Sequence, residues 1–185
     1  MKYLALITAA LLSLNLSAAT ISGVELPDNL SVTKQPLALN GAGVRSKFFM
    51  DIYVAGLYLP EKEQAAQNII EQDQPMGLRL HVTSGLLSAE KMQNATLEGF
   101  EKSTNGNLAP IQKNVDVFID SLKDEIAEND VFEFIYVPDQ GVSVYKNGEL
   151  KTQVPSLEFK QALFGIWLSD EPVQDDLKAG LLGSL

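Results

Sequence analysis

The chain contains no cysteine and only one histidine, His81, among its 185 residues. Without cysteine there is no thiolate nucleophile, no cysteine-bound metal and no disulfide, so the core alone must hold the fold. A lone histidine leaves carboxylates to complete any metal site, and a serine-histidine-carboxylate triad would have to use that one ring. Basic charge is also scarce, with 14 Lys and Arg against 24 Asp and Glu and a formal net charge of -10. An acidic surface repels nucleic acid and anionic headgroups unless its basic residues gather, and along this chain they do not. Beyond the first residues, no apolar run reaches transmembrane length.

The N-terminal apolar run falls short of that length as well. "MKYLALITAALLSLNLSAAT" places Lys2 before an apolar run too short to span a bilayer, followed by the small residues Ser17, Ala18 and Ala19. That order predicts a secretory signal peptide over residues 1–19, and hence a periplasmic or secreted product. Cleavage would remove Lys2, taking the charge from -10 to -10 - 1 = -11. The remaining 185 - 19 = 166 residues suit one domain, 20–185, since no repeat or long linker divides them.

Hydrophobic periodicity predicts an α+β fold. "ISGVELPDNL" and "LALNGAGV" read as short strands, with Asn40-Gly41 as a turn. "FFMDIYVAGLYL" is apolar on both parities from Ile52, as expected of a central strand covered on both faces. "GLRLHVTS" alternates Leu78, Leu80 and Val82 against Arg79, His81 and Thr83, so one face is core. Before it, "EKEQAAQNIIEQ" reads as a short polar helix.

Ser88 caps a helix through Met92, Ala95 and Phe100 to Asn105-Gly106, with Glu90 in the first turn. Leu108, Ile111, Val115, Phe118, Ile119, Leu122 and Ile126 then recur at three and four, predicting one long helical stripe. "VFEFIYVP" and the hairpin "VSVYKNGELKTQV", turning at Asn147-Gly148, add strands to a mostly antiparallel sheet. "SLEFKQALFGIWL" and "VQDDLKAGLLG" close the chain as helices, the first burying Phe159, Leu163, Ile166 and Trp167.

Candidate chemistry is sparse. His81 falls on the polar parity of its strand and faces solvent. Ser88-Ala89-Glu90-Lys91 matches the serine-x-x-lysine pattern of penicillin-binding enzymes, but helix capping accounts for Ser88 and the companion motifs of that class are missing. Gly41-Ala42-Gly43 is too short for a phosphate loop and reads as a turn. The pairs Asp124-Glu125, Asp170-Glu171 and Asp175-Asp176 read as solvated helix ends. Arg45 stands at the mouth of the apolar strand, where it either snorkels to water or meets an anion. Tyr53 comes near it by either of two routes: on the same face of one continuous strand, or across a pair if Ser46-Lys47 turn. A surface contact from Arg45 to Tyr53 or Asp51 is the simplest alternative.

"LNGAGVRSKFFMDIYVAGLYLPE", "VYKNGEL" and "FKQALFGIWLSDEPVQDDLKAGLLG" together resemble the chalcone isomerase-like family, in particular its bacterial exported members, from about Val24 to Gly183. The resemblance implies an open-faced β-sandwich, an antiparallel sheet with helices packed on one side and a cleft between them. In the plant isomerases of that family, the arginine of GAGVR works with a strand threonine and with a tyrosine and an asparagine near a helix start. Here only Arg45 matches; Tyr53, Ser88 and Ala95 stand at the other three places. Losing donors aimed at a developing oxyanion is costly in rate, which argues against isomerase activity.

The family's fatty-acid-binding members pair the arginine with a tyrosine on the next strand, and Arg45 with Tyr53 is similar to that. The resemblance therefore implies a non-catalytic binding protein for a fatty acid or like amphiphile, with Arg45 and Tyr53 as ligand-binding residues and no cofactor or metal. The alternative it leaves is a chalcone isomerase-type intramolecular lyase acting on a phenolic or enone substrate through Arg45. A third is an interaction protein whose cleft is filled by its own side chains.

Overall fold

A computed structural model of the chain describes residues 19–31 and 36–184. The expected signal peptide, apart from Ala19, lies outside the described residues. Nine strands and five helices follow in the order β1 (Ala19–Ile21), β2 (Val24–Leu26), β3 (Asn29–Leu30), β4 (Leu37–Lys47), β5 (Met50–Leu59), α1 (Ala66–Glu71), β6 (Met76–Val82), α2 (Ala89–Ser103), α3 (Gln112–Asp120), β7 (Val131–Val137), β8 (Gly141–Lys146), β9 (Glu149–Val154), α4 (Leu157–Leu168) and α5 (Asp175–Leu181) among the described residues. Strands β3 to β9 pair in sequence order as a seven-stranded antiparallel sheet, and β1 and β2 form a separate hairpin.

β5 lies inside the sheet between β4 and β6, and both its faces are covered. Ala55, Leu57 and Leu59 join the main core, whereas Val54 meets Val24 and Leu26 of the hairpin and Tyr58 packs with Leu30, Leu37 and Ile135. That double cover is why the segment is apolar on both parities. The Tyr58 hydroxyl donates to the Pro27 carbonyl at 2.9 Å, so its polar end is satisfied despite full burial. On β6, Leu78, Leu80 and Val82 are core, while Arg79 pairs with Glu133 on the opposite face. The sheet is therefore open-faced, with helices on one side.

The core between sheet and helices is aromatic. Phe118 sits 6.0 Å from Phe100, 5.3 Å from Phe134 and 5.6 Å from Phe159 between ring centroids, joining α2, α3, β7 and α4. α4 buries nine of its twelve residues, so it lacks a polar face and lies between other elements. One of the nine is Lys160. Its ammonium donates at 2.8 Å to the carbonyls of Ile69, Ile70 and Gln72, capping the end of α1 that carries negative dipole.

Two expectations need correction. Gly41-Ala42-Gly43 is not a turn but the middle of β4, which runs unbroken for eleven residues. These glycines admit α5: a Cβ on Gly41 would lie 2.3 Å from the Gly180 carbonyl oxygen and 2.6 Å from the Gly183 nitrogen. Sequence patterning reads glycine as a break, but here it marks the contact of a helix backbone with a strand backbone. Second, the long stripe from Leu108 is a short 3-10 turn, Ala109–Ile111, and an α-helix ending at Asp120. Leu122 and Ile126 are buried from the irregular chain beyond it, because Ser121 and Leu122 already donate to carbonyls three residues back.

Candidate functional site

Arg45 is near the end of β4 and faces Tyr53 of β5 directly across the pair. Of the two routes considered from sequence, the paired one holds, but the chain reverses at Phe48-Phe49 rather than Ser46-Lys47, with φ of 51° and 64°. Next to Arg45 the register shifts: Ser46 pairs with Asp51, so Ile52 is an extra residue on β5. Such a bulge re-aims side chains. Met50, Ile52 and Tyr53, which strict alternation would divide between two faces, all line one cavity.

That cavity has a volume of about 550 Å³ and lies between the β4–β5 hairpin and α2. Arg45, Lys47 and Phe48 come from the hairpin, Leu86 and Leu87 from the loop after β6, and Lys91, Asn94, Ala95 and Glu98 from one side of α2. Val173, just before α5, completes it. Among the described residues its charged lining is three cations, Arg45, Lys47 and Lys91, against one carboxylate, Glu98. Basic residues that do not cluster along the chain are thus gathered by the fold of an acidic protein. The carboxyl of Glu98 is held below its ordinary range, chiefly by Lys102, with Lys47 and Arg45 adding to the effect.

The Arg45 guanidinium does not bond to the Tyr53 hydroxyl. One nitrogen, Nη1, donates to the Ser46 carbonyl at 2.8 Å and to the Gln174 side-chain oxygen at 2.9 Å. Gln174 is itself fixed, accepting from the Ser46 amide at 3.0 Å and donating to the Val44 carbonyl at 3.2 Å. Nη2 and Nε have no protein partner, and no carboxylate pairs with Arg45, among the described residues. The Asp51 carboxylate, a possible partner from sequence, instead accepts from Ser22 at 3.0 Å and Ser46 at 2.9 Å. Gln174 is therefore a clamp that orients the arginine while leaving most of its donors unused.

Tyr53 is held by a different partner. The Trp167 indole donates to its hydroxyl oxygen at 3.0 Å. Burial raises the Tyr53 pKa, while the Trp167 bond and the Arg45 charge pull the other way. The phenol stays protonated at neutral pH. With its oxygen accepting from Trp167, the hydroxyl proton is left to donate elsewhere. A guanidinium with open donors and a phenolic proton on the wall of a mainly apolar cavity can together donate hydrogen bonds to an anionic group.

The other sequence candidates fall outside this arrangement. The Ser88 hydroxyl accepts from the Lys91 amide at 3.3 Å as the cap of α2, and the Lys91 ammonium donates to the Leu86 carbonyl. Ser88 and Lys91 thus do not form a nucleophile-base pair. Among the described residues, the His81 ring has one side-chain polar contact, to Asn129 at 3.4 Å. Asp124 pairs with Lys151, and Asp170, Glu171, Asp175 and Asp176 are exposed. Ala95 does line the cavity, offering no donor where the isomerases have an amide. Sequence reasoning missed Gln174, Trp167 and Asn94; the first two reach the site across more than 100 residues of chain, which no local pattern reports.

The model of the family described as chalcone isomerase-like matches residues 18–183. The chain belongs to the chalcone isomerase-like family. No curated protein matches it in sequence. Among solved structures it is similar to the crystal structure of an Arabidopsis thaliana fatty-acid binding protein, with a TM-score of 0.69 and 16% identity over 90% of this chain and 96% of that one. At that identity the likeness shows the fold, which is the curled antiparallel sheet with helices on one side already described.

Proposed function

We propose that this chalcone isomerase-like protein is an exported, non-catalytic binding protein for a fatty acid or similar amphiphilic carboxylate. The observation that carries the reading is the cavity beside Arg45. Its volume falls within the roughly 300–1,000 Å³ of small-molecule sites, and its walls are mainly apolar around a few convergent polar groups. The carboxylate would take the open donors of Arg45 and the Tyr53 proton, and the tail would lie along Ile52, Met50, Leu86 and Leu87. The fatty-acid binding protein of the same fold supports this choice of ligand. A cleft filled by its own side chains, the third possibility from sequence, would leave no such space.

The test is native mass spectrometry of the protein purified from its own host, with extraction and identification of what it holds. A fatty acid should co-purify, and Arg45→Ala should weaken its binding roughly 10- to 100-fold, the worth of a charge-assisted bond pair. Unchanged affinity in a folded Arg45→Ala protein would overturn the reading. The same spectrum tests export, since a processed protein would lack its first 19 residues. Asn94 favours one second reading, because it places an amide in the cavity one residue from the position the isomerases use. Turnover of naringenin chalcone, lost in Arg45→Ala, would establish it.

A further inference from the structure

The turn at Phe48-Phe49 is built against the preferences of its own geometry. Two-residue hairpin turns with positive φ at both positions favour Asn-Gly or a similar small pair, and this protein uses such pairs twice, at Ser22-Gly23 and Asn147-Gly148. Between Lys47 and Met50 it places two phenylalanines in the left-handed region, which disfavours bulky side chains. Packing does not explain them. Phe48 is 78% exposed and Phe49 fully exposed, at 107%, and Met50 and Leu86 beside them are exposed as well.

This apolar tip is also the rim of the cavity. Phe48, Met50 and Leu86 contribute their inner sides to its wall, so whatever covers the tip lies against the cavity mouth. Lys47 and Lys91 are exposed and line the same cavity, the Lys91 ammonium also donating to the Leu86 carbonyl; Glu98 is the one carboxylate in the lining among the described residues, and Asp51 is turned aside to Ser22 and Ser46. Elsewhere the protein carries an excess of acid. Exposed aromatics at a hairpin tip, flanked by lysines whose stems can lie along apolar surface, have the chemistry of a bilayer interface: rings enter the headgroup-acyl boundary and ammonium groups meet lipid phosphates. The acidic remainder of the surface is repelled, which favours approach tip first.

We propose that the Phe48-Phe49 hairpin tip docks on an anionic lipid bilayer, bringing the cavity mouth against the membrane. The docking surface stands on the tip residues alone. Its use as a route for an amphiphile between bilayer and cavity rests on the binding function proposed above.

Phe49 is the residue to change, because it does not line the cavity. Phe49→Gly removes the ring and supplies the residue that the turn geometry prefers, so the variant should fold with an unchanged or higher Tm. Wild type should co-float with phosphatidylcholine vesicles containing phosphatidylglycerol, and Phe49→Gly should bind them at least about tenfold more weakly, the worth of one buried phenylalanine. In Phe49→Trp, a blue shift and quenching by brominated lipid should appear on adding vesicles, against the buried Trp167 as constant background. Equal vesicle binding by wild type and Phe49→Gly, or none by wild type, would overturn the proposal. So would a Phe49-dependent dimer that forms without lipid, which would assign the tip to a second copy. Titration with a fluorescent fatty acid in vesicle-free solution separates the two readings: Phe49→Gly should bind it like wild type, and failure of both to bind would remove the ligand reading while leaving docking to the vesicle result.

Discussion

Tyr53→Phe tests the arrangement at the site most directly. The substitution keeps the ring and removes one oxygen that accepts from Trp167. Trp167 is 6% exposed, so its N–H would lose its partner in a place where water replaces it poorly. Leaving a buried donor unsatisfied costs about 1–3 kcal/mol. Because Tyr53 is only partly buried and borders a cavity, the lower half of that range applies, and we expect a loss of about 1–2 kcal/mol in urea unfolding. Trp167→Phe also removes volume from the core, so its own loss should be larger. The double variant should be less destabilised than the sum by about 1 kcal/mol, the coupling of the bond itself. Ligand affinity is a second readout. If the Tyr53 proton meets a carboxylate, Tyr53→Phe should weaken fatty-acid binding roughly tenfold or more, from a hydrogen bond to charge of about 1.5–3 kcal/mol. A coupling near zero would show that the indole and phenol do not bond in solution. Unchanged affinity in Tyr53→Phe, alongside a large loss in Arg45→Ala, would remove Tyr53 from the ligand site.

Two further outcomes rest on other parts of the fold. Burial lowers the Lys160 pKa from an ordinary 10.5 to about 8, with Asp73 opposing, so above pH 8 the unfolded chain binds more protons than the folded one. Its contribution to stability should therefore rise from about pH 8 towards pH 10 and level off above the unfolded value; Lys160→Met should flatten that rise in pH-dependent urea midpoints, and an unaltered slope would assign it to other groups. Gly41→Ala would force a methyl against backbone atoms of Gly180, Leu181 and Gly183 that have no rotamer to yield. It should cost about 3 kcal/mol or more and displace α5, carrying Gln174 from Arg45 and weakening ligand binding as well; full stability with intact affinity would show that α5 does not pack there in solution.

Much of the fold is local and so is readable from the chain. Alternation marks β6, apolarity on both parities marks β5, Asn147-Gly148 marks its hairpin, and Ser88 marks the start of α2, because each of these signals acts over a few residues. The resemblance of the GAGVR stretch and the C-terminal helices carried the family and the open-faced sheet, and Arg45 with Tyr53 as the pair to watch. Glycine in β4 misled because its role is a close approach by α5, about 140 residues later, rather than a bend. The stripe beyond Asp120 misled because burial continues after helical hydrogen bonding has stopped.

What only the tertiary structure decided is how the site is built. Pairing across β4 and β5 set Arg45 opposite Tyr53, and the bulge at Ile52 turned both parities of β5 into one wall. Packing of α5 on the glycines brought Gln174 to the guanidinium, and packing of α4 on the sheet brought Trp167 to the phenol. The sequence by itself determined which residues could bind an anion, since donor chemistry belongs to the side chain. Which donors remain open, and onto what space, depends on partners supplied by distant segments, and those meet only when the chain has folded.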